Sequence, residues 1–274
     1  MKPMEPVIHN LPTPLGGPPP SEVLLVRAPL ARVLAQVKFP YVLFIEDKAH
    51  VAPFQADLRA EYPVFRQDEG RAFHIEMAPN GPNVQANAVT VWRFTDVSGG
   101  WTVTLSPDAV TLETRQYDQR SDFIARFSRV LDAVERHFEP GVGERLGIRY
   151  VTRVVGDGYE RLHEIVQPNL MGVAIPPLRE YVTHAISEAS MSAEDSAVIA
   201  RWGMLPPQGT FDPVVLEPVG EPSWVLDIDV STAGYHPFDA QDMADRFNML
   251  AERAYSVFRY MVTDEFLTLY GGQP

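Results

Sequence analysis

Two segments of this chain, 120 residues apart, carry the same amphipathic pattern, and that repetition limits the possible folds more than any other feature. From Ser121 to Phe138 the apolar residues Phe123, Phe127, Val130, Leu131, Val134 and Phe138 recur at helical spacing, with Ser121 or Asp122 as the expected N-cap. From Asp239 to Thr263 the stripe is Met243, Phe247, Leu250, Ala254, Val257, Phe258 and Met261. Asp122, Arg126, Phe127 and Phe138 stand at a fixed offset from Asp242, Arg246, Phe247 and Phe258. Trp101 and Trp224 each open an alternating run ahead of one of these helices. A helix with one apolar stripe has to cover a sheet face. The expected fold class is therefore α+β, as two similar halves from an internal duplication. Each half is a mostly antiparallel sheet covered by one long amphipathic helix.

The strand signals agree with this. Val89–Phe94, Trp101–Leu105 and Val110–Thr114 alternate and are separated by Ser98-Gly99-Gly100 and Ser106-Pro107-Asp108, which predicts a meander. Val33, Ala35 and Val37 alternate, as do Val23 and Leu25, and Val42–Ile45 is an apolar run; all read as strands. Phe73–Met77 is a weaker strand. Val51, Phe54, Leu58 and Tyr62 predict a helix that Pro63 ends. Strands are also expected over Leu146–Val155, His184–Ser190, Ala197–Met204 and Trp224–Val230. Residues 1–20 hold seven prolines and read as a flexible arm. The halves are then 21–156 and 157–274, packed as one globular unit.

Composition narrows the function classes. The chain has no cysteine, which excludes disulfides, thiolate metal sites and a cysteine nucleophile. Neither an apolar signal segment at the start nor a run of 18 apolar residues occurs, so a cytoplasmic protein without membrane contact is expected. The formal net charge of −13 disfavours nonspecific nucleic-acid binding while leaving room for a local basic patch.

Catalytic patterns are missing. Gly141-Val142-Gly143 lacks the context of a dinucleotide loop, and no P-loop, H-E-x-x-H or G-x-S-x-G pattern occurs. No metal or cofactor is expected. The candidate binding residues are charged or aromatic groups on strands. Arg145, Arg149 and Arg153 are spaced to share one sheet face, where guanidiniums suit an anion or a carboxylate-rich partner. Asp227 and Asp229 share a face of their own strand, and Trp92-Arg93 belongs to the meander. Gly147 is expected to allow close backbone approach beside Arg149.

Several of these segments together resemble a sporadically distributed bacterial family of uncharacterised proteins. The resemblance runs over about residues 22–272. It is carried by Ala28-Pro29-Leu30, Val33–Pro40, Phe54-Gln55, Leu58-Arg59, Tyr62-Pro63, Trp92-Arg93-Phe94, Leu146–Tyr150, Arg201-Trp202-Gly203, Trp224–Asp227 and Thr263–Phe266. It implies no particular activity, cofactor or catalytic residue. The reading that follows is a non-catalytic protein that binds a protein segment or a small molecule. The alternatives are an enzyme using Arg149 and Asp227 in a pocket between the halves, and an antitoxin, immunity or phage-defence partner whose negative charge masks a basic protein.

Overall fold

A computed structural model describes residues 14–78, 81–193 and 195–274, with the backbone alone over 71–78 and 81–87. Most of the expected arm, residues 1–13, lies outside the described residues. The elements in order are β1 (Leu30–Lys38), α1 (Lys48–Leu58), β2 (Val64–Ala78), β3 (Gly81–Thr95), β4 (Trp101–Ser106), β5 (Ala109–Thr114) and α2 (Arg120–Phe138). There follow β6 (Val142–Val154), α3 (Gly156–Glu160), α4 (Leu162–Ile165), β7 (Ala185–Ser192), β8 (Ala197–Leu205), β9 (Ser223–Pro237), α5 (Ala240–Met261) and α6 (Asp264–Leu269). The fold is α+β. Its strands order as β2-β3-β4-β5-β1-β6-β9-β8-β7, and every register resolved along it is antiparallel. Among the described residues no helix is long and apolar enough to cross a membrane.

By its contacts the chain forms two compact units whose segments interleave. One takes the chain up to Ala31, Arg149–Val230 and Met249–Pro274; the other takes Arg32–Ile148 and Ser231–Asn248.

In the Arg32–Ile148 unit, alternation along the meander separates two faces. Val33, Ala35 and Val37 oppose Thr114, Leu112 and Val110, and all six are buried. Trp92, Phe94, Val103 and Leu105 continue that face and are fully buried. Helices cover it. Phe54 of α1 meets Phe94 at 5.5 Å and Phe138 of α2 at 5.4 Å, and Phe123 of α2 meets Trp101 at 5.8 Å. The stripe on α2 is buried as its spacing predicts. Glu139, left-handed at φ 43°, and Pro140 end the helix. Phe247 of α5 meets Phe127 edge to face, with ring centroids 4.8 Å apart. Each of those side chains would lose about 3–5 kcal/mol of fold stability on truncation.

The other unit holds the β7–β8 hairpin and the adjoining parts of β6 and β9. Val151, Leu205, Leu216 and Val225 form a buried cluster that Phe211 and Val215 cap from the long β8–β9 connection. Gly203 sits at φ 145°, and a side chain there would stand 1.9 Å from the Ala185 carbonyl oxygen. Only glycine fits, which gives the Arg201-Trp202-Gly203 segment a physical reason.

Several elements differ from expectation. Val42–Ile45 lies in no strand; Leu43–Glu46 forms a 3₁₀ turn that buries Ile45 and exposes Leu43 and Phe44. A short apolar run has no period to distinguish the two. Val23 and Leu25 also lie outside any strand. The Val23 amide donates to the Tyr255 hydroxyl at 2.8 Å, and the Arg27 amide donates to the Tyr270 carbonyl at 3.0 Å. The N-cap of α2 is Gln119, without a side-chain cap, and Asp122 instead pairs with Arg126 inside the helix. Trp101 opens β4, and β5 stands between it and α2.

Candidate functional site

Arg149 and Asp227 lie on the sheet face that the β8–β9 connection packs against. Arg149 donates from Nε to Oδ1 and from Nη2 to Oδ2 of Asp227, both at 2.8 Å, and from Nη1 to Oδ2 of Asp212 at 3.1 Å. Burial pulls the Arg149 pKa down, but the hydrogen bonds and charges of Asp227 and Asp212 outweigh it, and the net shift is upward. Arg201 flanks the pair. Its Nη1 is 3.8 Å from Asp227, it bonds Glu188 through Nε at 2.8 Å, and it stacks 4.7 Å over Phe211. A guanidinium bound edge-on by one carboxylate and end-on by a second is a clamp. Here it fastens the connection at Asp212 to the strands at Asp227.

The other sequence candidates fall in different places. Arg153 is on the same strand as Arg149 but meets a carbonyl, that of Glu217, through Nη1. Its Nε and Nη2 are buried without an acceptor among the described residues, and burial lowers its pKa, which the charge of Glu217 offsets only in part. The Arg145 guanidinium occupies the space beside Gly147 where a side chain would stand, so the opening at Gly147 admits Arg145 and not another backbone. Asp229 is half-buried on β9. Trp92 is fully buried, and its Nε1 donates to the Ile45 carbonyl at 2.6 Å, so it fills the core and offers no surface. Arg93 points the opposite way and pairs with Asp68 at 2.8 Å.

Arg93 leads to a surface that no sequence pattern marks. The registers of β1 to β5 place Lys38, Gln36, Thr111, Thr102, Thr104 and Arg66 on its face, opposite the helix-covered one. Arg32 of β1, Glu113 of β5 and Asp68 of β2 lie on the same face, and Arg115 follows the end of β5. Arg93, Arg66, Arg115 and Lys38 are exposed, and the threonines are half-buried. Among the described side chains Lys38, Arg66, Arg93 and Arg32 share this face with Glu113 and Asp68, on a chain whose net charge is −13. Gln36 donates to Thr111 at 3.0 Å, and Thr95 and Thr102 stand 3.4 Å apart, so the hydroxyls are held in rows. At one end of the face is a cleft of about 90 Å³ lined by Arg32, Gly99, Gly100, Thr102, Glu113, Thr114 and Arg115. The turn beside it is braced. Ser98 donates to Asp96 at 2.6 Å, the Trp101 amide donates to Asp96 at 3.0 Å, and Thr114 donates to the Gly100 carbonyl at 3.0 Å. Burial pushes the Asp96 carboxyl up, but the hydrogen bonds from Ser98, Trp101 and Gly100 outweigh it and hold the pKa below the usual 3.8.

Among the described residues no three His, Asp or Glu side chains come together as metal ligands. No protein-family model and no curated protein matches the chain.

Proposed function

We propose that the protein is a non-catalytic binding protein that holds an anionic ligand on the exposed face of its β1–β5 sheet. The observation that carries this is the excess of cations among the described side chains of that face, against the charge of the chain as a whole. A charge of sign opposite to the global one resists the solubility explanation that covers the acidic remainder. Rows of threonine hydroxyls supply neutral donors between the guanidiniums, as oxygen-rich anions require. The Arg149–Asp227 clamp has a structural part in this reading and no catalytic one. Calorimetric titration with tripolyphosphate tests it. The wild type binds, and the exposed pair of changes Arg66→Glu and Arg93→Glu weakens binding by about tenfold or more, the size of one lost charged contact. Equal affinity in the variant contradicts the proposal.

We also infer that the fold arose by duplication. From its centre outward the sheet runs β1, β5, β4, β3 one way and β6, β9, β8, β7 the other. In each series the outer three strands follow one another in the chain and lead into a long helix, α2 or α5. Asp122–Arg126 and Asp242–Arg246 are the same i,i+4 ion pair, at 2.9 and 2.6 Å. On this reading β2 is an addition to the first copy.

A further inference from the structure

We infer that a second copy of this chain pairs with the outer edge of β7, antiparallel and about a two-fold axis at Ala189. The inference is separate from the ligand of the β1–β5 face and concerns the other end of the strand order.

That order shows an edge which is covered on one side and bare on the other. Counted outward from the centre, the fourth strand is β3 one way and β7 the other. β2 covers the outer edge of β3, antiparallel, from Val64 opposite Thr95 onward. Among the described residues no strand covers the outer edge of β7. The backbone groups along such an edge are a template for another strand, and edges are usually blunted by charges, proline, a bulge or shortness. β2, at the opposite end, carries Arg66, Asp68, Glu69 and Arg71. β7 has eight residues, Ala185–Ser192, without proline. Its register with β8 runs unbroken from Ala185 opposite Met204 to Ser192 opposite Ala197. Its one charge, Glu188, is bound by Nε of Arg201 on β8 at 2.8 Å. The core also runs out here. Ala185, Ala189 and Met191 share a face with Met204, Ala200 and Val198, which are buried, but are themselves half-buried.

Self-pairing restricts the register. Only alternate residues of a strand turn their backbone groups outward, so two copies of one edge match residues of the same parity. A two-fold axis then passes through a residue that faces itself. Two axes pair seven of the eight residues, one at Glu188 (185–191) and one at Ala189 (186–192). The first sets two carboxylates directly against each other, which is unfavourable. The second faces Ala189 with Ala189, Glu188 with Ser190, Ser187 with Met191 and Ile186 with Ser192, and opposes no like charges. The net charge of −13 opposes association in general, but Glu188 is neutralised within its own hairpin. Main-chain hydrogen bonds across the new ladder supply the affinity.

The test is sedimentation velocity of the full-length protein over a concentration series. The wild type is expected to form a reversible dimer. Ser190 is exposed, and a charge placed there meets Glu188 of the other copy twice per dimer. Ser190→Glu weakens the dimer by about fivefold or more, and Ser190→Lys tightens it. The same two changes at Val97, exposed on a turn of the other unit, leave it unchanged. The chain has no cysteine of its own, so crosslinking gives an independent readout. Facing Cα atoms in such a ladder stand about 4.5–5.5 Å apart, within disulfide reach. Mild oxidation of Ala189→Cys should therefore give a covalent dimer, and Val97→Cys should not. A wild type that stays monomeric across the series overturns the inference. So does a dimer that ignores both changes at Ser190 and leaves Ala189→Cys unlinked, because its interface lies elsewhere.

Discussion

Arg149 and Asp227 are joined by two parallel hydrogen bonds of 2.8 Å, and Asp227 is only 4% exposed. Removing one partner of such a pair strands a buried charge. Arg149→Ala should therefore lose about 3–5 kcal/mol, whereas replacing both partners with apolar residues, as in Arg149→Met with Asp227→Leu, should cost much less. Urea unfolding of the three proteins measures this. A single variant within about 0.5 kcal/mol of wild type, as for an ordinary surface change, would show that the clamp does not hold the β8–β9 connection.

Arg153 is expected to behave in the opposite way. Its guanidinium is partly desolvated against a carbonyl and lacks a carboxylate hydrogen-bond partner among the described residues. Arg153→Met keeps the apolar stem and removes the buried charge. Its unfolding midpoint in urea should match or exceed that of the wild type; a clear drop would mean that the charge itself stabilises the fold.

Phe127 and Phe247 are buried to 1% and 0% exposure and meet edge to face. Each change to Ala should cost about 3–5 kcal/mol. A double-mutant cycle should return a coupling of about 0.5–1.5 kcal/mol beyond additivity, the usual worth of an aromatic pair. Strict additivity would mean that the rings are buried side by side without a shared contact.

What could be read before the structure, and what could not, follows from the range of each signal. The stripes through Phe127 and Phe247 were legible because helical period is local. The meander from Val89 to Thr114 was legible because alternation and turn residues are local too. Arg149 and Asp227 could be chosen singly as candidates, but their pairing depends on which strands are neighbours. Asp212 lies in an aperiodic connection and gave no signal. The opposition of Gln36 and Thr111 needs β1 to pair with β5 across three intervening strands and a helix, which no window of sequence contains. Trp92 illustrates the converse: a strand aromatic that suggests a binding surface is fully buried, held by the Ile45 carbonyl.

The turn at the cleft carries a pH dependence of definite sign. Asp96 has its folded-state pKa held below the ordinary 3.8, so its contribution is fully present above that value and is lost as pH falls through the folded value. The stability difference between wild type and Asp96→Asn, measured by denaturant unfolding from pH 7 to pH 2, should be constant down to about pH 4 and then shrink. A difference that stays the same to pH 2 would contradict the hydrogen-bonded carboxylate.

The central claim, that the β1–β5 face binds an anion, is tested most directly by mapping tripolyphosphate onto the backbone amides. The account predicts saturable shifts at Gln36, Thr102, Thr104, Thr111 and Arg115, weakened by added salt as charge recognition requires, with α2 undisturbed. Shifts concentrated on α2, or none at all at low salt, would contradict it.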